Sequence, residues 1–569
     1  MSVDRRAFLE ACSALGLGGT LFPGVLYAQA ADDEGPITTD HIEAAETIAG
    51  VSFTPDEREM MVEDLNDNLE GYKALRELPM PNDRPPATVF DPRIGGAEIP
   101  AVPAAQDGVR THFPRSSKPS AEEDLAYASL PELAHWLRTG QVTSVELTEL
   151  YLERLRTLDP KLKAVITLTE DRAMSAAETA DAEIAEDQWR GPLHGIPWGA
   201  KDLLAVDGYE TTWGAEPYKN QQIKATAEVV NRLDTAGAVL VAKLTLGALA
   251  WGDVWYGGKT RNPWNLEQGS SGSSAGPGAA VAAGAVPFAI GSETLGSIVS
   301  PSTRNGVTGH RPTFGTVPRT GAMALSWTMD KLGPMARSAV DCAYVYDAIR
   351  GADDGDPASV DAPFPFDASM DVTELRVGVV EEAFNGEYDN AEADQQTLQV
   401  LRDLGVELRP ISLPTDLPIG AMLNTLDVEA ASAFDGLTRS DGIDAMKRQS
   451  TDAWPHVFRT ARMIPAVEHT QMRRARTRLM QAMHGVMADL DAFVCPSFRG
   501  GVLGITNLTG HPCVCVPNAF HPAEDQPSYR KQPGSISFLG ALYRDDAALA
   551  LAHAYQLETD FHTRRPPLR

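Results

Sequence analysis

The apolar and polar positions of this chain change rhythm several times, and the changes mark its organisation. From Thr38 to about Leu78 the pattern is helical, broken between Gly50 and Pro55. Beyond the break Met61, Leu65, Leu69 and Leu75 recur at helical spacing. This predicts a small helical extension over residues 31–78. Residues 79–122 show neither period 2 nor period 3.6 and carry Pro79, Pro81, Pro85, Pro86, Pro92, Pro100, Pro103 and Pro114. They predict an arm lying over the body of the protein. A different texture starts near Ala126. Leu130–Thr139, Ser144–Leu158 and Ala173–Glu186 read as helices, and Ala164–Thr169, Val239–Leu246, Val286–Gly291, Leu375–Val380, Ala492–Cys495 and Pro512–Pro517 read as strands. Such alternation predicts an α/β protein with a large, mostly covered sheet. Residues 383–480 are mostly helical and polar, which suits an insertion shaping a substrate mouth.

Composition narrows the classes. With 43% hydrophobic and 22% charged residues over 569 positions, the chain has the make-up of a globular protein. A formal charge of -29 disfavours binding to phosphate backbones, so no nucleic-acid partner is expected. The first thirty residues stand apart: Arg5-Arg6-Ala7-Phe8-Leu9, a Gly-containing apolar stretch, then Ala28-Gln29-Ala30 before an acidic run. This pattern predicts a twin-arginine export signal over residues 1–30 and a periplasmic or secreted protein. The competing reading, a buried helix, is weakened by Gly16, Gly18, Gly19, Pro23 and Gly24. No later stretch offers the ~20 apolar residues of a spanning helix, so no stable membrane insertion is expected once the signal is removed. Cys12 lies in the signal, and Cys342, Cys495, Cys513 and Cys515 read as buried free thiols. No Cys-x-x-Cys or His-Glu-x-x-His spacing occurs, so no protein-bound metal is expected.

Three segments carry candidate chemistry. Lys201 follows the short apolar run Ile196-Pro197-Trp198, and a strand there would take its ammonium group inside, where a lysine loses its proton more easily. The competing reading is a lysine at a strand end that reaches solvent or pairs with Asp202. The tract Gly269-Ser-Ser-Gly-Ser-Ser-Ala-Gly276 combines backbone freedom with four hydroxyls. Between apolar segments it predicts a buried, hydrogen-bonded loop rather than a linker. In the third segment Thr294-Leu295-Gly296-Ser297 follows a strand. A tight turn there would aim successive N–H groups at one point beside Ser297, as an oxyanion hole beside a nucleophile requires. An ordinary strand-to-helix turn is the alternative. Two decoys fail on context. Gly272-Ser-Ser-Ala-Gly276 fits a nucleophile elbow but follows Asn265-Leu-Glu-Gln268 rather than a buried strand. Gly252 stands one position too early for a phosphate-binding loop ending at Gly258-Lys259-Thr260.

In this order the three segments resemble the amidase signature family, whose hallmark is a lysine after Gly-Ile-Pro, a Gly/Ser tract and a Gly-Gly-Ser-Ile turn. Val142–Thr148, Asn262–Asn265, Gly309–Thr313, Leu332–Arg337 and Ser535–Leu539 extend the resemblance over most of a catalytic domain taken as residues 123–569. It implies a large mixed β-sheet covered by helices on both faces. It also implies Lys201 as base and Ser297 as nucleophile. Ungapped alignment back from Ser297 puts the bridging serine at Ser273, in a cis peptide after Gly272; a shifted register would use Ser270 or Ser271. The N–H groups of Thr294, Leu295, Gly296 and Ser297 would form the oxyanion hole, and no cofactor is implied. Glu293, Leu295 and Val299 depart from the family's usual Asp, Gly and Arg, and Arg304 is a candidate to fill the missing arginine's volume. Ser271, Ala275 and Pro277 also replace the more usual Gly, Gly and Ser. The expected activity is hydrolysis of a small-molecule amide through an acyl-enzyme. Alternatives within the family are the glutamine-hydrolysing subunit of a tRNA-dependent amidotransferase and a catalytically silent member. A homodimer is compatible with this reading. Trp213, Trp251, Trp255, Tyr256 and Trp327 lie near the motifs and are either cleft-lining or core.

Overall fold

The computed structural model describes residues 36–111, 113–440, 442–522 and 531–568, so the expected export signal lies outside the described residues. The described residues fall into two units, divided between Pro81 and Asn82. In the first, α1 (Thr39–Ala49) and α2 (Pro55–Arg76) realise the broken helical pattern. Thr54 and Glu57 form a capping box at the start of α2. Arg58 of α2 bonds Glu46 and Glu43 of α1 at 2.7 and 2.8 Å. No residue of α2 is fully buried; Met61, Leu65 and Leu69 are half-buried and Leu75 is exposed.

The second unit is built on an eleven-stranded sheet. Its strands are β1 (Val165–Leu168), β2 (Pro197–Lys201), β3 (Val239–Leu244), β4 (Phe288–Glu293), β5 (Thr308–Arg311), β6 (Lys331–Ala336), β7 (Val377–Val379), β8 (Leu408–Pro410), β9 (Ala492–Pro496), β10 (Cys513–Pro522) and β11 (Lys531–Gly540). They lie in the order β1-β3-β2-β4-β6-β5-β10-β11-β9-β7-β8. The sheet is mixed: β2 runs parallel to β3 and β4, whereas β6 runs antiparallel to β4 and β5. Alternation along the strands covers both faces. Leu240, Phe288, Ile290, Val494 and Val514 enter one apolar cluster, while their neighbours Val239, Val241, Ala289, Phe493 and Cys513 enter clusters on the other face. The fold is therefore the large mixed sheet with helices on both faces that the resemblance implied.

The helices used below are α3 (Leu130–Arg138), α4 (Ser144–Leu162), α5 (Glu170–Ala185), α6 (Ala275–Ala282), α7 (Val299–Asn305), α8 (Ala339–Ile349), α9 (Val502–Thr509) and α10 (Asp545–Leu557). The expected helices α3, α4 and α5 form within a few residues of their predicted ends. The Pro-rich segment lies along the second unit: Gly108 and Arg110 donate backbone bonds to Phe364 and Phe366. Phe90 meets Phe314 edge-on at 4.9 Å and lies beneath the Arg476 guanidinium. Cys342, Cys495, Cys513 and Cys515 are free and buried. Among the described residues no helix is long and apolar enough to cross a membrane, and no group of His, Cys, Asp and Glu could hold a metal ion.

Candidate active site

The site is assembled at the ends of two neighbouring strands. Every residue of β2 is buried, so its last side chain, Lys201, is carried wholly inside. The adjacent Asp202 does not pair with it. Asp202 accepts instead from Lys243 Nζ at 2.7 Å, from Thr212 N at 2.8 Å and from Thr212 Oγ1 at 2.5 Å. Lys201 Nζ is left among hydroxyls: Ser273 Oγ at 2.8 Å, Ser292 Oγ at 2.8 Å and Ser274 Oγ at 3.0 Å, with the Ser292 carbonyl at 3.4 Å. Loss of hydration pushes its proton affinity well below the ordinary lysine range, and the more distant charges of Asp330 and Glu293 oppose this without reversing it.

The Gly/Ser tract is the buried, hydrogen-bonded loop its composition predicts. Asp253 receives Ser271 N at 3.1 Å, Ser271 Oγ meets Ser300 Oγ at 2.7 Å, and Asn305 Nδ2 donates to the Ser270 carbonyl at 2.9 Å. Ser270 and Ser271 thus face other partners, and Ser273 and Ser274 face the lysine. Ser274 Oγ accepts from Ser292 N and donates to the Ser292 carbonyl, both at 3.1 Å. The Gly272–Ser273 peptide is cis. A Cβ at residue 272 would sit 1.8 Å from the Gly252 carbonyl oxygen, so only glycine fits there.

The third segment turns directly after β4. Gly296 has φ 84°, and a Cβ there would approach Leu503 to 3.0 Å; Leu295 is not in the left-handed region. A leucine therefore takes the family's glycine position at residue 295, because the glycine-requiring conformation falls one residue later. Two carboxylates, the buried Glu293 and the half-buried Asp330, hold the turn from outside. Glu293 Oε2 accepts from Ile298 N at 2.8 Å and Val299 N at 3.0 Å, and its Oε1 accepts from Arg311 at 2.7 Å and Asn507 at 2.8 Å. Burial alone would raise the Glu293 carboxyl, but the charge and hydrogen bonds of Arg311, with those of Val299 N and Asn507, hold it down at about 2. Asp330 accepts from Thr294 Oγ1 at 2.6 Å and from Leu325 N and Ser326 N. Among the described residues, none of the N–H groups of Thr294, Leu295, Gly296 and Ser297 donates to a protein acceptor. Ser274 N donates to the Ser297 carbonyl at 3.2 Å, which sets the turn beside the tract. Ser297 itself is half-buried, and its Oγ makes no hydrogen bond among the described residues.

Arg304, the candidate for the missing arginine's volume, directs its Nη1 to Gln268 Oε1 at 3.3 Å. Val299 packs into an apolar cluster with Cys513 and Cys515, and the cation that meets Glu293 is Arg311, from β5. The neighbouring aromatics divide. Trp213 and Trp255 are buried, the former against Tyr218 at 4.7 Å, and both are core. Trp251, Tyr256 and Trp327 are partly exposed, and Trp251 meets Trp454 edge-on at 4.6 Å. The sequence reading missed Ser274, Ser292, Asp330 and the Arg311–Asn507 support, whose signals are single residues in different segments.

Fold and geometry together define the class, an enzyme acting on carbon–nitrogen amide bonds, and the comparisons agree. A family model described as Amidase matches residues 146–512. The A subunit of glutamyl-tRNA(Gln) amidotransferase from Roseiflexus sp. (strain RS-1) is 32% identical over 486 residues, covering 77% of this chain and 98% of its own. The solved structure of native peptide amidase from Stenotrophomonas maltophilia aligns with a TM-score of 0.66 at 28% identity, covering 77% of this chain and 98% of that one. A bacterial aryl acylamidase of the amidase signature enzymes shares the fold, with a TM-score of 0.67 at 21% identity over 77% of this chain and 97% of that one. The chain belongs to the amidase signature family.

Proposed function

We propose that the protein cleaves its amide through an acyl-enzyme on Ser297, with Ser273 as the proton bridge and Lys201 as the base. The observation that supports this best is Lys201: a fully buried amine, without a carboxylate partner among the described residues, 2.8 Å from Ser273 Oγ. Neutral Lys201 takes the Ser273 proton while Ser273 takes that of Ser297, and the freed Ser297 oxygen adds to the amide carbonyl. The unoccupied N–H groups of residues 294–297 receive the developing oxyanion. Collapse breaks the carbon–nitrogen bond, the proton returns through Ser273 to the departing amine, and water then hydrolyses the ester by the same relay. Labelling of Ser297 by a fluorophosphonate, lost in Ser297→Ala, is the expected result; a folded protein that resists labelling would mark a catalytically silent member.

The nature of the amide divides into two readings. Similarity to the amidotransferase component, over nearly all of that protein's length, favours glutamine as substrate and partner subunits as context. The leader pattern of residues 1–30, the charge of -29 and the likeness to peptide amidase favour a free-standing hydrolase of small amides outside the cytoplasm. Ammonia release by the purified chain separates them. Turnover of peptide, aliphatic or aryl amides in preference to L-glutamine, with no co-purifying subunits, supports the second reading; glutamine turnover that rises with bound partner subunits supports the first.

A further inference from the structure

The Pro-rich arm lies outside residues 146–512, yet it reaches the segment that holds the catalytic turn. That segment, residues 323–330, belongs to no strand. It starts beside the lysine, where Met323 N donates to the Leu203 carbonyl at 3.0 Å, and ends at Asp330, which accepts Thr294 Oγ1 at 2.6 Å where the turn opens. The other oxygen of Asp330 accepts Leu325 N at 2.8 Å and Ser326 N at 2.9 Å. The carboxylate that orients Thr294 is thus itself oriented by two N–H groups of a segment with no ladder to fix it.

Asn82, in the arm, supplies that fixing. Ala324 N donates to Asn82 Oδ1 at 2.7 Å, and Asn82 Nδ2 donates to the Ala324 carbonyl at 2.8 Å. The Ala324 carbonyl and Leu325 N belong to one planar peptide unit, so the bond from Asn82 sets the direction in which that N–H meets Asp330. The arm reaches the same segment a second time. Phe90 lies under the Arg476 guanidinium, 3.7 Å from the ring centroid, and Arg476 donates to Thr328 Oγ1 at 2.8 Å and to the Thr328 carbonyl at 2.9 Å. Glu429, from the helix Ile419–Ala433, closes the remaining side by accepting Ser326 Oγ at 2.5 Å and Thr328 N at 3.1 Å. The arm has other fastenings that do not touch this segment. Arg110 pairs with Asp367 at 3.1 Å, and the backbone of Gly108 and Arg110 bonds Phe364 and Phe366.

We infer that Asn82 is a positioning residue for the oxyanion turn, acting through the Ala324–Leu325 peptide and Asp330 on Thr294. The inference rests on the role proposed above for Ser297 and its turn. An oxyanion hole gains its effect from donors already aimed where charge develops, so a released Asp330 slows the chemical step while the bound ground state is little affected.

The rate of Ser297 labelling by a fluorophosphonate, measured against reagent concentration on the full-length protein, tests this without knowledge of the natural amide. Asn82→Ala should lower the maximal labelling rate by about tenfold and leave the half-saturating concentration within about twofold. Arg110→Ala, which loosens the arm away from the segment, should label within about twofold of the wild type. Hydrogen exchange gives a second readout that needs no chemistry at Ser297. In Asn82→Ala the amides of Leu325 and Ser326, and those of Ile298 and Val299 beyond the turn, should exchange at least about threefold faster, with β6 unchanged. Should Asn82→Ala fail to fold, Asn82→Asp, which keeps the acceptor for Ala324 N and loses the donor to the Ala324 carbonyl, decides, with labelling slowed by about threefold or more. A wild type that resists labelling would count against Ser297 as nucleophile, and the exchange comparison then decides the coupling by itself. Wild-type labelling in a folded Asn82 variant, equal slowing in Arg110→Ala, or unchanged exchange at Ile298 and Val299 would overturn the inference.

Discussion

Lys201 Nζ stands 2.8 Å from Ser273 Oγ, and among the described residues no carboxylate forms an ion pair with it. Its unfolded-state proton affinity is that of an ordinary lysine, near 10.5, and burial lowers the folded value well below that. Between the two values the unfolded chain binds the proton and the folded chain does not. Stability therefore rises with pH across this window and levels off above about 10.5. Lys201→Met removes that dependence. Thermal denaturation should find the variant more stable than the wild type near pH 7, with the gap closing as pH approaches about 10.5. Its turnover should fall by about 10² to 10⁴, and it should lack the acid limb of kcat/KM that the wild type owes to Lys201 protonation. A wild-type profile without that limb would remove Lys201 as the base.

The two serines beside the lysine should not be equivalent. Ser274 Oγ is held by both the N–H and the carbonyl of Ser292, whereas Ser273 Oγ bonds to Lys201. Ser273→Ala is expected to lower kcat by about 10² to 10⁴, and Ser274→Ala by about tenfold. Single-turnover measurement of acyl-enzyme formation gives the comparison. Equal losses, or a larger loss in Ser274→Ala, would move the bridging role to residue 274.

Much of this arrangement was legible because the informative residues are close in sequence. Both strands that end at the site are short apolar runs, and in β4 Phe288 and Ile290 enter a cluster on one face of the sheet while Ala289 enters one on the other. The pattern was silent where burial comes from topology. β6 reads Lys-Leu-Gly-Pro-Met-Ala, with a charge, a glycine and a proline, and is a strand because β4 and β5 flank it. Glu293 and Arg311 meet through a sheet in which β6 separates β4 from β5, so spacing along the chain carried no sign of the pair. The same holds for Asp202, whose partner Lys243 comes from the adjacent β3 rather than from the neighbouring Lys201.

Glu293 and Arg311 are both wholly buried, 2.7 Å apart. Removing the charge of one leaves the other unpaired in the interior, and Glu293→Gln should cost about 3 to 5 kcal/mol in urea unfolding. The folded carboxyl lies at about 2 against an ordinary value of 4.5. Its contribution is therefore complete above about 4.5 and is lost as pH falls toward about 2. The wild type should lose more stability than Glu293→Gln across that interval. Parallel acid titrations of the two that coincide would show that the pair does not govern the turn's stability.

The catalytic turn makes opposite demands on two adjacent residues. Gly296 alone among residues 294–297 has a positive φ, 84°, and an added Cβ would meet Leu503 at 3.0 Å. Gly296→Ala combines left-handed strain, of order 1–3 kcal/mol, with that contact. Leu295→Gly changes neither conformation nor any N–H group, at a backbone-entropy cost of about 0.5 to 1 kcal/mol. The expected result is that Gly296→Ala lowers kcat by about tenfold or more while KM changes little, because the misdirected N–H groups act on the oxyanion rather than on the bound amide. Leu295→Gly should keep kcat within about threefold of the wild type. If Leu295→Gly proves the more damaging substitution, the leucine side chain itself is required, and the oxyanion would not be held by backbone groups of this turn alone.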